Sequence, residues 1–192
     1  MKYNVITITR EFGSGGRTIA KELAARLGYS YYDYNLVQKI AEQSNFSRQY
    51  IEEHGEDASQ SGWFAFAWNN YGGGLSDQLY VAQRNVITNL AEQGRCIIVG
   101  RCADYILRER TDTFHAFIYA DRAFRQKRIV DVYGESDESI ESRVEKKDRR
   151  RITYYRYYTD RKWGQAKYYD VCLNSGHIGI DMCCDLIERM VK

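Results

Sequence analysis

The residues best suited to chemistry stand together near the N-terminus, in Thr9-Arg10-Glu11-Phe12-Gly13-Ser14-Gly15-Gly16-Arg17-Thr18. Three glycines within four residues let the backbone curl until successive N–H groups point inward, and such a nest binds an anion. A helix starting directly after it adds the partial positive charge of its dipole at the same spot. In that arrangement Gly13, Ser14, Gly15 and Gly16 supply backbone donors and Arg17 or Arg10 supplies a full positive charge. The hydroxyl of Thr18 is a candidate ligand for Mg2+, an ion that keeps several waters and phosphate oxygens. The alternative is a tight strand-to-helix turn whose glycines only permit positive φ; it leaves Arg10, Arg17 and Thr18 without a purpose.

The spacing approximates the phosphate-binding pattern G-x-x-x-x-G-K-[ST]. Aligning Gly16-Arg17-Thr18 with its end puts Glu11 at the first glycine and Arg17 at the lysine. Other polar residues follow apolar runs: Asp33 after a short aromatic run, and Gly100-Arg101 after Cys96-Ile97-Ile98-Val99, with Asp104 one turn further. Residues 143–162 then carry nine lysines or arginines against three acids, either a solvated helix face or a surface for an anionic ligand. A glycine nest, strand-end polar residues and a separate basic segment together suit two polyanions held face to face. Phosphoryl transfer needs that arrangement, because its catalysis is mostly positioning and charge neutralisation.

The elements that must position these residues alternate along the chain. Short β-branched or aromatic runs predict strands over 3–8, 29–33, 96–99, 113–119 and 169–174. Helical spacing predicts helices over 19–27, 35–43, 76–93, 103–108, 121–133, roughly 136–158 and 180–191, the first closed by Gly28 and the third by Gly94. This is an α/β chain, a three-layer parallel sheet flanked by helices, and ligands of such sheets bind beyond the carboxyl ends of the strands. We expect a single domain over 1–192, with an acceptor-side helical insert at about 34–94 and a basic lid at about 134–162. Within the insert, residues 44–75 are irregular, and the aromatic run 63–68 could cap a substrate, form a subunit contact or fill the core.

Composition narrows the function classes. The net charge is only +2, so the molecule as a whole is no nucleic-acid magnet. No run approaches the ~20 apolar residues of a membrane span, and the N-terminus lacks a charged-then-apolar leader. Five cysteines, Cys96, Cys102, Cys172, Cys183 and Cys184, show no C-x-x-C pairing and read as reduced thiols. A cytoplasmic protein with a small-molecule substrate, and without nucleic-acid or membrane partners, is the expectation.

The chain resembles the cytidylate kinase-like branch of the P-loop nucleoside monophosphate kinases over nearly its whole length. The segments that carry the resemblance are residues 9–16, Tyr31-Tyr32-Asp33, Val99-Gly100-Arg101, Lys147-Asp148-Arg149-Arg150-Arg151 with Tyr154-Tyr155, Trp163-Gly164 and residues 169–175. The resemblance implies a P-loop kinase fold and transfer of the γ-phosphoryl of ATP, with Mg2+, to a nucleotide such as CMP. It places Arg10, the glycine loop, Thr18 and Arg125 on ATP, and Asp33, Arg101 and Asp104 on the acceptor. Asp148, Arg149 and Arg151, in the lid pattern Asp-Arg-x-Arg, join Arg17 as catalytic residues, and Arg128 matches a further nucleotide-contacting position. Arginine suits these tasks because its planar fork binds phosphate bidentately and never loses its charge. The sequence departs from the family at Cys102, which replaces an aspartate, at Val99, which replaces a strand-end acid, and at the missing loop lysine. These departures leave two alternatives: a nucleotide-binding regulatory protein without turnover, and a small-molecule kinase with a non-nucleotide acceptor.

Overall fold

A computed structural model describes residues 2–33 and 74–192, with the backbone alone described for 74–79. The expected helix over 35–43 and the aromatic run 63–68 lie outside the described residues. Five strands, β1 (Val5–Arg10), β2 (Ser30–Tyr32), β3 (Cys96–Val99), β4 (Thr113–Tyr119) and β5 (Val171–Asn174), form one sheet in the order β2-β3-β1-β4-β5. Every pairing is parallel. The described helices are α1 (Gly16–Leu27), α2 (Gly74–Gln93), α3 (Ala103–Ile106), α4 (Arg122–Tyr133), α5 (Ile140–Thr159), α6 (Ser175–Ile178) and α7 (Ile180–Val191). Strands β3 and β4 and helix α7 match the sequence reading residue for residue. Strand β1 runs two residues later than expected, because β4 extends far enough to pair Thr9 with Phe117 and Arg10 with Ile118.

The alternation of β1 builds two cores at once. Ile6 and Ile8 face α1 and α7, where Ile19, Leu23, Leu27, Cys183, Cys184 and Ile187 fill the first layer. Val5 faces the other way, onto Val86, Ile87, Leu90 and Leu107. Each fully buried isoleucine contributes roughly 2 kcal/mol of transfer free energy. Helix α1 ends where expected, with Gly28 left-handed at φ 64° and its N–H bonded to the carbonyls of Ala24 and Ala25. The central place of β1, between strands reached by opposite crossovers, opens a crevice at its carboxyl end.

The second face turns polar towards that end. Thr7 Oγ1 lies 2.7 Å from His115 Nδ1, and Thr9 donates its hydroxyl to Asp104 at 3.3 Å. Tyr155 of α5 donates to the other Asp104 oxygen at 2.7 Å. One face of α5 is therefore core: Val144, Tyr155 and Thr159 are buried, and they tie the helix to the sheet. Asp104 is 3 % exposed, and burial raises its pKa, opposed by the Tyr155 hydroxyl and by His115 and Thr9.

A stability prediction follows from that raised pKa. The folded protein holds the Asp104 proton more tightly than the unfolded chain, so this group's contribution falls as pH rises from the ordinary carboxylate range towards the raised value. Relative to Asp104→Asn, which does not titrate, wild type should lose stability as pH rises above the ordinary carboxylate range. Urea unfolding of both proteins from that range upwards measures it; a difference independent of pH contradicts the assignment.

Candidate active site

The glycine turn is built for an anion. Gly13 and Gly15 are left-handed at φ 81° and 83°, and Gly15 is the N-cap of α1. The N-cap glycine has no side chain with which to cap the helix, and no acid lies in its first turn. The first intrahelical bond runs from Ile19 N–H to Gly15 at 3.0 Å, so the N–H groups of Gly16, Arg17 and Thr18 precede the ladder. Ser14 is a brace: its hydroxyl donates towards the carbonyls of Glu11 at 2.9 Å and Ile118 at 3.1 Å. The turn is also packed from outside. A Cβ at Gly13 would lie 2.8 Å from Ile129, and one at Gly15 would lie 2.8 Å from Ile180.

The two arginines expected to replace the loop lysine share one carboxylate. Arg10 is 7 % exposed, and its Nη2 lies 3.7 Å from Asp33; Arg17 Nε pairs with the same carboxylate. A buried carboxylate in a low-dielectric setting draws cations strongly, and Asp33 holds both guanidinium groups on the β2 side of the turn. Gly16 is glycine for a related reason. It is the first helical residue, with no positive φ, and a Cβ there would lie 2.5 Å from the Cβ of Arg10. Counting the pattern from the left-handed cap Gly15 therefore puts Gly16, not Arg17, at the lysine position. The cation at the rim comes from α4 instead. Arg128 donates to Thr18 Oγ1 at 2.8 Å, and its Nε is 3.4 Å from the place of a Gly15 Cβ.

Helix α5 grips the turn through Asp148. That carboxylate accepts the Phe12 N–H at 2.8 Å, pairs with Arg125 and accepts from Arg151 at 3.2 Å. Arg125 Nε also lies 3.4 Å from Glu11, whose carboxylate accepts the Ala120 N–H and whose pKa burial raises. Asp148 thus positions the loop. Val144, Asp148, Arg151, Tyr155 and Thr159 lie on one face of α5 at helical spacing. Arg149 falls off that face: its side chain is 75 % exposed and pairs with Glu145 at 2.8 Å. The structure separates Arg149 from Arg151, which the lid pattern had grouped.

At the carboxyl end of β3, Gly100, Arg101 and Cys102 are all left-handed, at φ 73°, 60° and 55°. A Cβ at Gly100 would lie 2.2 Å from Arg10 Nη1, so Arg10 runs from the glycine turn to this second turn. Asp104, expected on the substrate, lies beneath the turn with both oxygens bonded to Thr9 and Tyr155. Gln83, which the sequence reading passed over, donates to the Arg101 carbonyl at 2.8 Å. It was visible as one polar residue continuing the buried stripe of Val86, Ile87, Leu90 and Ala91. Among the described residues, no group of three His, Cys, Asp or Glu side chains could hold a metal ion.

The Asp148 cluster and the exposed Arg149 make a clean comparison of stability. Asp148→Ala should cost about 3–5 kcal/mol by removing the partly buried carboxylate that Arg125, Arg151 and the Phe12 N–H share. Arg149→Ala should stay within about 0.5 kcal/mol. Denaturant unfolding decides, and equal losses would contradict the placement of these side chains.

Comparison with solved structures yields a protein from Eubacterium ventriosum described only as uncharacterized. It is 27 % identical, with a TM-score of 0.75 and 97 % of each chain covered. A shikimate kinase from Acinetobacter baumannii in complex with shikimate is 12 % identical (TM-score 0.56; 98 % and 93 % covered). A shikimate kinase from Bacteroides thetaiotaomicron is 15 % identical (TM-score 0.56; 97 % of each chain covered). At these identities the two shikimate kinases show a shared fold, a parallel sheet flanked by helices. No curated protein sequence matches. The model of the cytidylate kinase-like family matches residues 5–177, and the chain belongs to that family.

Proposed function

We propose that this protein transfers the γ-phosphoryl group of ATP to a small anionic acceptor, with a nucleoside monophosphate such as CMP the first to test. Family membership supports a phosphotransferase. The observation that carries the finer reading is the glycine-capped N-terminus of α1 behind two left-handed glycines, with Arg128 at its rim. There the backbone of residues 13–18 receives the donor phosphates, and Arg128 supplies the cation that a loop lysine would bring. Mg2+ would arrive on the nucleotide, with the neutral oxygen of Thr18 completing its shell of waters and phosphate oxygens.

The acceptor binds where β1, β2 and β3 end. Arg10 and Arg17 both pair with Asp33 there, and among the described residues Arg10 Nε has no hydrogen-bond partner. These guanidinium groups suit a phosphate-bearing acceptor, with Arg101 on the adjoining turn. Its phosphate oxygen is already anionic, so no general base is required. In this reading residues 34–94 form the acceptor-side insert and 134–162 the lid of one domain, acting in the cytoplasm. A non-nucleotide acceptor is the second reading. Cys102, buried beside Arg101, favours it by leaving no acid at that position to read a base.

Radiolabelled ATP incubated with a panel of nucleoside monophosphates and hydroxylated acids tests the reading. Transfer to CMP or another nucleotide is expected. Transfer only to a hydroxylated acid selects the second reading, and ATP binding without transfer to any acceptor overturns both. Arg128→Ala should weaken ATP binding roughly ten- to a hundredfold, the loss of one charge-assisted phosphate contact. Arg151→Ala should lower kcat by about tenfold or more while Arg149→Ala leaves it near wild type. Calorimetry and initial rates measure these, and equal effects at 149 and 151 would remove α5 from the site.

A further inference from the structure

Residues 100–102 hold three successive left-handed conformations, two of them in residues with a Cβ. Each costs of order 1 kcal/mol or more, so the surrounding structure must hold the turn in place. Backbone bonds do part of this: Gly100 N–H bonds Ile8 at 3.0 Å, Ala103 N–H bonds Gly100 at 3.1 Å, and the N–H groups of Tyr105 and Ile106 bond Cys102 at 3.0 and 2.9 Å. The middle carbonyl, that of Arg101, is held from outside by the side-chain amide of Gln83 at 2.8 Å. Gln83 is 1 % exposed and is itself fixed, because the Tyr154 hydroxyl donates to its Oε1 at 2.9 Å.

Tyr154 belongs to α5, the helix that grips the glycine turn through Asp148. Asp148 and Tyr154 are six residues apart, about 9 Å along the axis. One rigid helix therefore touches the glycine turn at one point and, through Gln83, the acceptor turn at another. The helices α2 and α5 pack to allow this, with Tyr80 stacked on Tyr158 at 4.0 Å one turn from the Gln83–Tyr154 bond.

We propose that Gln83 is a positioning residue through which helix α5 sets the turn that presents Arg101, so that filling the glycine nest also orders the acceptor side. A ligand that tightens Asp148 on the loop holds α5, α5 holds the Gln83 amide through Tyr154, and the amide holds the Arg101 carbonyl. Gln83 touches neither ligand and acts only through Arg101. The ligand-dependent half of this proposal rests on the nucleotide reading of the glycine turn; the ligand-free half does not.

Amide hydrogen exchange of the full chain tests both halves. Without ligand, Tyr154→Phe removes the bond to Gln83, and Gln83→Glu keeps that acceptor but loses the donor to Arg101. Both variants should speed exchange over residues 100–106 about tenfold while leaving β1 and residues 11–18 as in wild type. Tyr80→Leu, which removes the neighbouring ring stack and neither hydrogen bond, is the control. If it loosens residues 100–106 as much as the other two, or if the other two leave them unchanged, Gln83 is packing and the proposal fails. With ATP and Mg2+ added, wild type should gain protection over both 11–18 and 100–106, and Tyr154→Phe over 11–18 alone. Protection of 11–18 in wild type without protection of 100–106 overturns the coupling and leaves the nucleotide reading standing. Protection of neither segment overturns the nucleotide reading, and the ligand-free comparison alone then decides the role of Gln83.

Discussion

The carboxylate of Asp148 is the contact on which the arrangement of the site depends. It joins a backbone N–H of the glycine turn, a guanidinium of α4 and a guanidinium of its own helix, three elements distant in sequence. With Glu11 beside Arg125, this cluster brings two acids and two arginines together. Such a partly buried cluster is costly to break. On the other side of the turn, Arg10 and Arg17 both pair with Asp33.

Much of the fold is legible in the chain because its signals are local and repeated. The apolar runs of β3 and β4 and the stripe Cys183, Cys184, Ile187 and Val191 of α7 state their own boundaries. The site is less legible, because its chemistry depends on phase and on partners far away in sequence. The basic residues of α5 form one run on paper. Only the buried positions Val144, Tyr155 and Thr159 fix which of them turn inward, and that phase sends Arg151 to Asp148 and Arg149 to solvent. The glycine turn has the same property. Its register depends on which glycines are left-handed, and Gly16 is a glycine for the sake of Arg10 rather than for a phosphate. Asp104, a plausible ligand contact at a strand end, is claimed by Tyr155 from 51 positions away.

Helix α5 consequently has two characters. Its C-terminal part belongs to the core through Tyr155 and Thr159, while its N-terminal part carries exposed charges such as Lys146 and Arg149. Val144 and Asp148 hold that N-terminal part to the rest of the protein as well, so the helix is anchored along its length and its exposed charges lie off the anchored face.

The path of Arg10 also constrains the history open to this sequence. A Cβ at residue 16 would lie 2.5 Å from the Cβ of Arg10. A lysine at position 16, the change that would give the loop the commoner form of its pattern, is therefore blocked for as long as residue 10 keeps a Cβ, and only glycine there removes the conflict. That replacement also takes a guanidinium from Asp33. The order of substitutions thus matters as much as their identity, and relatives with a side chain at 16 should carry glycine at 10.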